Sequence, residues 1–333
     1  MHFPVSNSNL SAKHLARFVQ ETYALDKDIS CSLIRAGIND TYLIQDDKHR
    51  YVFRVYSLNW RTKTEIEEEI SLLNLLKENK ISISYPIRDK NNNYIQILNA
   101  PEGDRFAVLF SYADGKKIYN YPEETHFRIG QLMANMHQLT HNRTLQRTSY
   151  TPEVLLVDSL TEIAKFLGAD TEEMRFLQST QSYLLKELAQ ADVNAIRKGI
   201  IHLDIWFDNL NINEKEEVTI FDFDFCGNGW LCLDTAYYLM QLAQTERYDE
   251  KLYKPKTQQF LAGYESICPL SAEEKRLLPL LGVCLYYFYL GIQCRRYDNW
   301  SNSFLSEDYL KRFVNGIVKR YFELGQVQNP KSK

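Results

Sequence analysis

Apolar and polar positions along this 333-residue chain follow two different periods, and the change from one to the other divides it. After a helical opening in which Leu10, Leu15 and Phe18 recur at roughly helical spacing, the stretch from Ser32 to Tyr56 alternates as a half-buried strand does. It predicts two strands, SLIRAGINDTYLIQ and RYVFRVY, joined by a polar turn at Asp46, Asp47 and Lys48, with Gly37 in the approach. From Thr64 to Glu78 the period lengthens: Ile66, Ile70 and Leu73 recur every three or four residues, beside Leu72, Leu75 and Leu76. That spacing predicts a helix whose early acidic residues, Glu65, Glu67, Glu68 and Glu69, suit the positive end of its dipole. Strands then return in YIQIL and FAVLFSY, which flank an APEGDR turn and stop at Ala113-Asp114-Gly115.

Beyond Glu123 the helical period dominates, in HFRIGQLMANMHQL, TEEMRFLQSTQSYLLKELAQA and most of the chain after Leu231. The shift near Asp114 sets an N-terminal unit of residues 1–114 and a helical C-terminal unit of residues 115–333, an α+β organisation. One strand-rich island, Gly199 to Phe225, interrupts the helices: IIHLD leads into a polar loop and LNINEKEEVTIFDF reads as a hairpin. The last residues, QNPKSK, read as a frayed end.

Composition narrows the field. The chain has 39 Lys and Arg against 43 Asp and Glu, a formal net charge of -4, so it lacks the basic excess that nucleic-acid binding draws on. Six scattered cysteines form no C-x-x-C pair and no zinc-ligand spacing, which predicts reduced thiols and a cytoplasmic setting. The amino terminus has no basic start followed by an apolar run, and the richest apolar stretch, Leu277 to Ile292, is interrupted by Pro279 and falls short of the roughly 18 residues a membrane span needs. No membrane association is expected.

The island carries the chemistry. Asp204 and Asn209 stand five apart on the loop, and Asp222 follows on what reads as the next strand, with Ile220, Asp222 and Asp224 on one face and Phe221, Phe223 and Phe225 on the other. Two carboxylates and an amide suit a hard, oxygen-seeking cation such as Mg²⁺. In the N-terminal unit, Val52, Arg54 and Tyr56 share one strand face.

These motifs, in this order, resemble the aminoglycoside phosphotransferase and choline kinase family, whose fold is protein-kinase-like: a small antiparallel-sheet lobe and a larger, mostly helical lobe. The resemblance runs from about Leu33 to Leu324. The family's catalytic loop, H-G-D-x-x-x-x-N, is matched by His202, Asp204 and Asn209, while Leu203 replaces the glycine and Trp206 stands where a small residue or histidine is common. It implies that Asp204 accepts the proton of a substrate hydroxyl, that Asn209 and Asp222 hold Mg²⁺ on ATP, and that His202 is structural. It further implies that Arg54 meets the α/β-phosphates with Val52 on the adenine. One of Glu65, Glu67, Glu68 and Glu69, with Glu69 preferred, would pair with Arg54. Gly37, Asn39 and Thr41 correspond to the phosphate-covering turn, Phe110 to Tyr112 to the adenine-binding linker, and Asp234 to a brace of the catalytic loop. His126, His137 and the Tyr286–Tyr289 run read as ordinary helix and core residues, and Asp208 as a surface charge.

The implied activity is ATP-dependent phosphoryl transfer to a hydroxyl of a small molecule: an amino alcohol, an aminoglycoside or a homoserine-like acceptor. FLAGYESICPLSAEEKRLL resembles the bacterial branch that holds type II homoserine kinases and a stress-response protein kinase, which keeps a protein serine/threonine kinase as an alternative. A nucleotide-binding regulator without turnover is a third reading, against which Arg54, Asp204, Asn209 and Asp222 all stand.

Overall fold

In the computed structural model, which describes residues 3–25, 29–299 and 302–328, the amphipathic opening becomes α1 (Ala12–Tyr23), burying Leu15, Val19 and Tyr23. The predicted first strand is two: β1 (Ser30–Ala36) and β2 (Asp40–Gln45) turn back on each other around Gly37, and β3 (Arg50–Val55) follows. The β2–β3 turn lies where the polar run predicts it, and Asp46 Oδ1 accepts the backbone N–H groups of Lys48 (2.7 Å) and His49 (2.6 Å). Next come α2 (Lys63–Glu78), β4 (Ile95–Ala100) and β5 (Gly103–Ser111). The five strands form one antiparallel sheet in the order β1-β2-β3-β5-β4.

Alternation along this sheet sorts its faces. Tyr42, Ile44, Phe53, Val55, Ala107 and Leu109 join Leu15, Val19 and Tyr23 in one buried apolar cluster. Each of the larger aliphatic and phenylalanine side chains among them contributes about 1.5–3 kcal/mol on burial. The chain's interior also holds a guanidinium: Arg105, 1% exposed, donates to Asp40 Oδ2 (2.9 Å), Glu102 Oε1 (3.3 Å) and the carbonyls of Tyr56, Val55 and Ser8. A buried charge is tolerated because nearly every donor has a partner.

Contacts divide the chain after Gly115, and residues 219–221 belong with the N-terminal unit, where Ile220 bridges Ile83. The C-terminal unit contains α3 (Glu123–Thr140), α4 (Ser159–Ile163), α5 (Glu172–Ala189), β6 (Lys198–Ile201), β7 (Leu210–Ile212), β8 (Val218–Ile220, most of which goes with the first unit) and β9 (Gly227–Trp230). It closes with α6 (Cys232–Thr245), α7 (Glu250–Glu265), α8 (Ala272–Arg295), α9 (Glu307–Phe313) and α10 (Lys319–Gln328). The predicted frayed tail lies outside the described residues beyond Gln328.

One feature of the helices departs from expectation, and a second concerns how two of them meet. Pro279 does not interrupt α8, which runs 24 residues and is by length and composition apolar enough to cross a membrane; 78% of its apolar window is buried within the protein. Its packing offsets the roughly 3 kcal/mol a proline costs inside a helix. Helices α3 and α7 meet backbone to backbone at Gly130 and Gly263. A Cβ on Gly130 would fall onto the carbonyl oxygen of Phe260, and one on Gly263 onto that of Phe127, both well inside the 3.0 Å that real Cβ atoms keep.

Candidate active site

The N-terminal unit brings Arg54 and Glu69 together. Arg54, on β3, is 7% exposed and donates from Nη1 to Glu69 Oε1 at 2.9 Å, while the Tyr56 hydroxyl donates to Glu69 Oε2 at 3.1 Å. Of the four candidate glutamates, Glu69 is the buried one in this pair. Glu65 closes the capping box of α2 instead: Thr62 Oγ1 accepts its N–H, and its Oε2 accepts that of Thr62 at 2.8 Å. Glu67 reaches the surface residue Lys63.

Thr41 and Val108 lie across the sheet from Arg54, and Leu43 and Phe110 across from Val52, so these candidates share one sheet face by register. Phe110 also lies beneath the guanidinium of Arg54, 5.1 Å from ring centre to Cζ. Tyr112 is covered by Arg50 at 4.0 Å. Gly37 and Asn39 form the β1–β2 turn, with the Gly37 N–H donating to the Asn39 carbonyl (3.2 Å) and Asn39 Oδ1 accepting from the Ser57 N–H (3.2 Å). The Asn39 side chain thus ties its turn to the end of β3.

In the C-terminal unit, β6 delivers the chain into His202-Leu203-Asp204. Leu203 is left-handed, with φ 67°, a conformation that costs a side-chain-bearing residue about 1–2 kcal/mol. Two side chains hold it. Asp234, wholly buried on α6, accepts the N–H of Leu203 through Oδ1 (2.6 Å) and that of His202 through Oδ2 (2.9 Å). The Tyr289 hydroxyl, from α8, donates to the Leu203 carbonyl at 2.7 Å. The leucine side chain itself is fully buried, which returns about 1.5–3 kcal/mol against the backbone strain.

Behind Asp234 stands His137, with Nε2 at 3.0 Å from Oδ2 and Nδ1 at 2.8 Å from the Tyr264 hydroxyl. A carboxylate only accepts, so Nε2 carries the hydrogen and Nδ1 takes the tyrosine's. His202 turns its Nδ1 to the Asp204 N–H (3.1 Å) and packs on Phe223 at 4.3 Å between ring centres, the structural place expected of it.

Asp204 is held at both oxygens. Asn209 Nδ2 donates to Oδ2 (2.7 Å) and to the Asp204 carbonyl (3.0 Å), and the Tyr237 hydroxyl donates to Oδ1 at 2.5 Å. Burial, then the neighbouring Asp204 charge, raises the Tyr237 phenol well above its ordinary range, so it remains a donor. Since Nδ2 of Asn209 is committed, its Oδ1 is the atom left for a ligand. Amide oxygen and carboxylate are the donors Mg²⁺ takes, usually few in number with water completing the shell, so Asn209 and Asp222 fit such an ion.

Asp222 is placed differently from expectation. Strand β8 ends at Ile220, and Asp222 is left-handed (φ 67°, ψ 65°) ahead of a 3₁₀ turn over Phe223–Phe225. The two-sided strand pattern therefore stops before it: Asp224, expected on the acidic edge, is 3% exposed, and its carbonyl accepts from Arg147. Asp208 pairs with Lys117 at 2.6 Å near the surface.

Residues 30–270 match the phosphotransferase enzyme (APH) family model. The chain belongs to that family. A protein of Synechocystis sp., sll1119, is 30% identical over 95% of this phosphotransferase and 87% of its own length. A homoserine kinase of Neisseria meningitidis is 25% identical over 77% of the chain and 80% of its own length. Among solved structures, a microcompartment-associated aminopropanol kinase superposes with a TM-score of 0.76 at 20% identity, covering 94% of this chain and 98% of its own. The amicoumacin kinase hAmiN, solved with AMP-PNP and Ca²⁺, gives 0.74 at 18% identity, covering 96% and 94%. The fold is kinase-like, and the enzyme is a nucleotide-dependent phosphotransferase acting on hydroxyl groups.

Sequence reasoning about this phosphotransferase missed three supports of the loop: Tyr237, Tyr289 and His137. Tyr237, three residues beyond Asp234, lies nearly one helical turn along α6, a spacing that could have drawn it in. The other two are joined to the loop only by folding. Trp206, the second departure from the family loop, lines a cleft with Tyr119, Tyr121, Phe207, Gln241 and the Glu246–Lys256 ion pair. Gln241 donates to the Tyr237 hydroxyl at 3.0 Å, one step from Asp204. The cavity there measures about 20 Å³.

Proposed function

We propose that this enzyme transfers the γ-phosphoryl group of Mg·ATP to the hydroxyl of a compact acceptor that carries both an ammonium and a carboxylate group, as a hydroxy amino acid does. The observation that carries the reading is the fixed Asp204 carboxylate, with one oxygen on Asn209 and the other on Tyr237. Asp204 orients the acceptor hydroxyl and takes its proton as that oxygen bonds to the γ-phosphorus and the bond to the leaving ADP oxygen breaks. Asn209 and Asp222 hold Mg²⁺, which offsets the charge on the phosphates. Arg54, oriented by Glu69, meets the phosphates, and Val52, with Phe110 and Tyr112 nearby, receives the base. The turn at Gly37, Asn39 and Thr41 covers the phosphates.

The acceptor class rests on the aromatic cleft. The space within the cleft, about 20 Å³, is room for one water-sized group, so what enters the cleft itself is a small end group of the acceptor. Its charges are of both signs, Glu246 and Lys256, a pattern that complements a zwitterion better than a polycation. The test is ATP consumption with Mg²⁺ across homoserine, serine, 1-amino-2-propanol, ethanolamine, choline, an aminoglycoside and a generic protein. Turnover stimulated by the hydroxy amino acids and absent in Asp204→Ala supports the reading. Stimulation by the amino alcohols, the aminoglycoside or the protein without the hydroxy amino acids overturns the acceptor class.

A further inference from the structure

The C-terminal unit has a second and larger cavity, about 470 Å³, which shares no lining residue with the catalytic loop or the aromatic cleft. Its volume falls in the range of about 300–1,000 Å³ typical of small-molecule sites. Leu155, Leu188, Leu233 and Leu281 line it, each at most 5% exposed, with the ring of Trp230 beside them. The charged residues of the lining are two cations, Arg143 and Lys198, both exposed. Among the described residues neither has an ion-pair partner.

Lone surface cations are commonplace. What sets these apart is that both border one apolar cavity to which the protein supplies no anion. An apolar lining leaves hydrophobic surface to be covered, and unpaired positive charge at the edge selects the sign of the group that covers it. The lining is also continuous with the catalytic loop. Lys198 and Gly199 open β6, which runs through Ile201 into His202, and they pair with Trp230 and Gly229 of β9. Leu233 directly precedes Asp234, the residue that holds the Leu203 and His202 amides.

We propose that this cavity is a second ligand site, taking a small amphipathic anion with an apolar body and one carboxylate-like group, and that its occupancy alters turnover through β6 and Asp234. The site needs no identity for the acceptor, so it can stand or fall apart from the proposed substrate class.

The experiment titrates the full chain with 8-anilinonaphthalene-1-sulfonate, with ADP present to occupy the nucleotide site, and displaces the dye with octanoate or with uncharged 1-octanol. The parent should bind the dye saturably and release it to octanoate at a concentration at least tenfold below that of octanol. In Arg143→Glu/Lys198→Glu, with the melting temperature unchanged, dye affinity should fall tenfold or more. Saturating octanoate should change the parent's ATP turnover at least twofold and leave that of the double variant alone. Failure to bind the dye saturably, equal displacement by octanol, or undiminished affinity in the double variant overturns the site. Parent turnover indifferent to bound octanoate overturns its link to the loop.

Discussion

The two halves of the enzyme fix their key side chains by different means. In the N-terminal unit, Arg54 is aimed by direct side-chain pairing: a strand supplies the arginine, a helix supplies Glu69, and the two meet at 2.9 Å. In the C-terminal unit, Asp204 is aimed by its backbone as well as by Asn209 and Tyr237 at its two carboxylate oxygens. A left-handed Leu203 sets the direction of the chain, and Asp234 and Tyr289, from two different helices, hold that conformation. A directly paired residue fails when its partner is lost. A loop held by backbone can lose one support and keep part of its geometry, because the others share the task.

The largest test of this contrast is Asp204→Ala, which should lower kcat by at least about 10³-fold while nucleotide affinity, measured by calorimetry, stays within a few-fold. Retained turnover would remove Asp204 from the chemistry and with it the reason for so rigid a loop.

Glu69→Ala comes next. It leaves the Arg54 guanidinium buried without its carboxylate, and removing one partner of such a pair costs about 3–5 kcal/mol. Urea unfolding should show that loss, and the KM for ATP should rise about tenfold. A KM unchanged despite the lost stability would mean that Arg54 does not depend on its partner.

Asp234→Ala strips acceptors from two buried amides at about 1–3 kcal/mol each and should cost about 2–6 kcal/mol. Its kcat should fall further than its nucleotide affinity. Parallel losses in both would show that the damage spreads beyond the loop.

The smallest effect belongs to the shared supports. Tyr289→Phe removes one hydrogen bond and should cost about 1 kcal/mol with kcat reduced less than tenfold. A hundredfold drop would show that the loop hangs on a single support.

The same contrast explains what can be read from the sequence. Arg54 and the α2 glutamates sit on regular elements, where period alone predicts which faces they share, and the S/T-x-x-E signal at Thr62–Glu65 is a local mark of a cap residue at Glu65. The spacing of Asp204, Asn209 and Asp222 is legible as a motif. The conformation of that motif is less so: leucine itself does not mark a left-handed residue, and only the glycine of the family's loop at that position hints at it, while the expected strand through Asp222 ends early because the chain there enters a left-handed residue and a tight turn. His137 reads as a helix-end residue because its partner, Asp234, lies 97 residues away. The split of the first predicted strand at Gly37 is visible only as a glycine, and Pro279 reads as a breaker because the packing that tolerates it comes from the whole unit.

The contact of α3 with α7 bears on how this sequence can change. Alanine at Gly130 would strike the Phe260 carbonyl, and alanine at Gly263 would strike that of Phe127. The obstacle in each case is main chain, which no substitution of a neighbouring side chain can shorten, and each glycine's opposite helix is already at its limit. A substitution at either position therefore requires the two helices to move apart, which no change of a neighbouring side chain relieves directly. The pair acts as a fixed point around which the rest of the helical unit is free to drift.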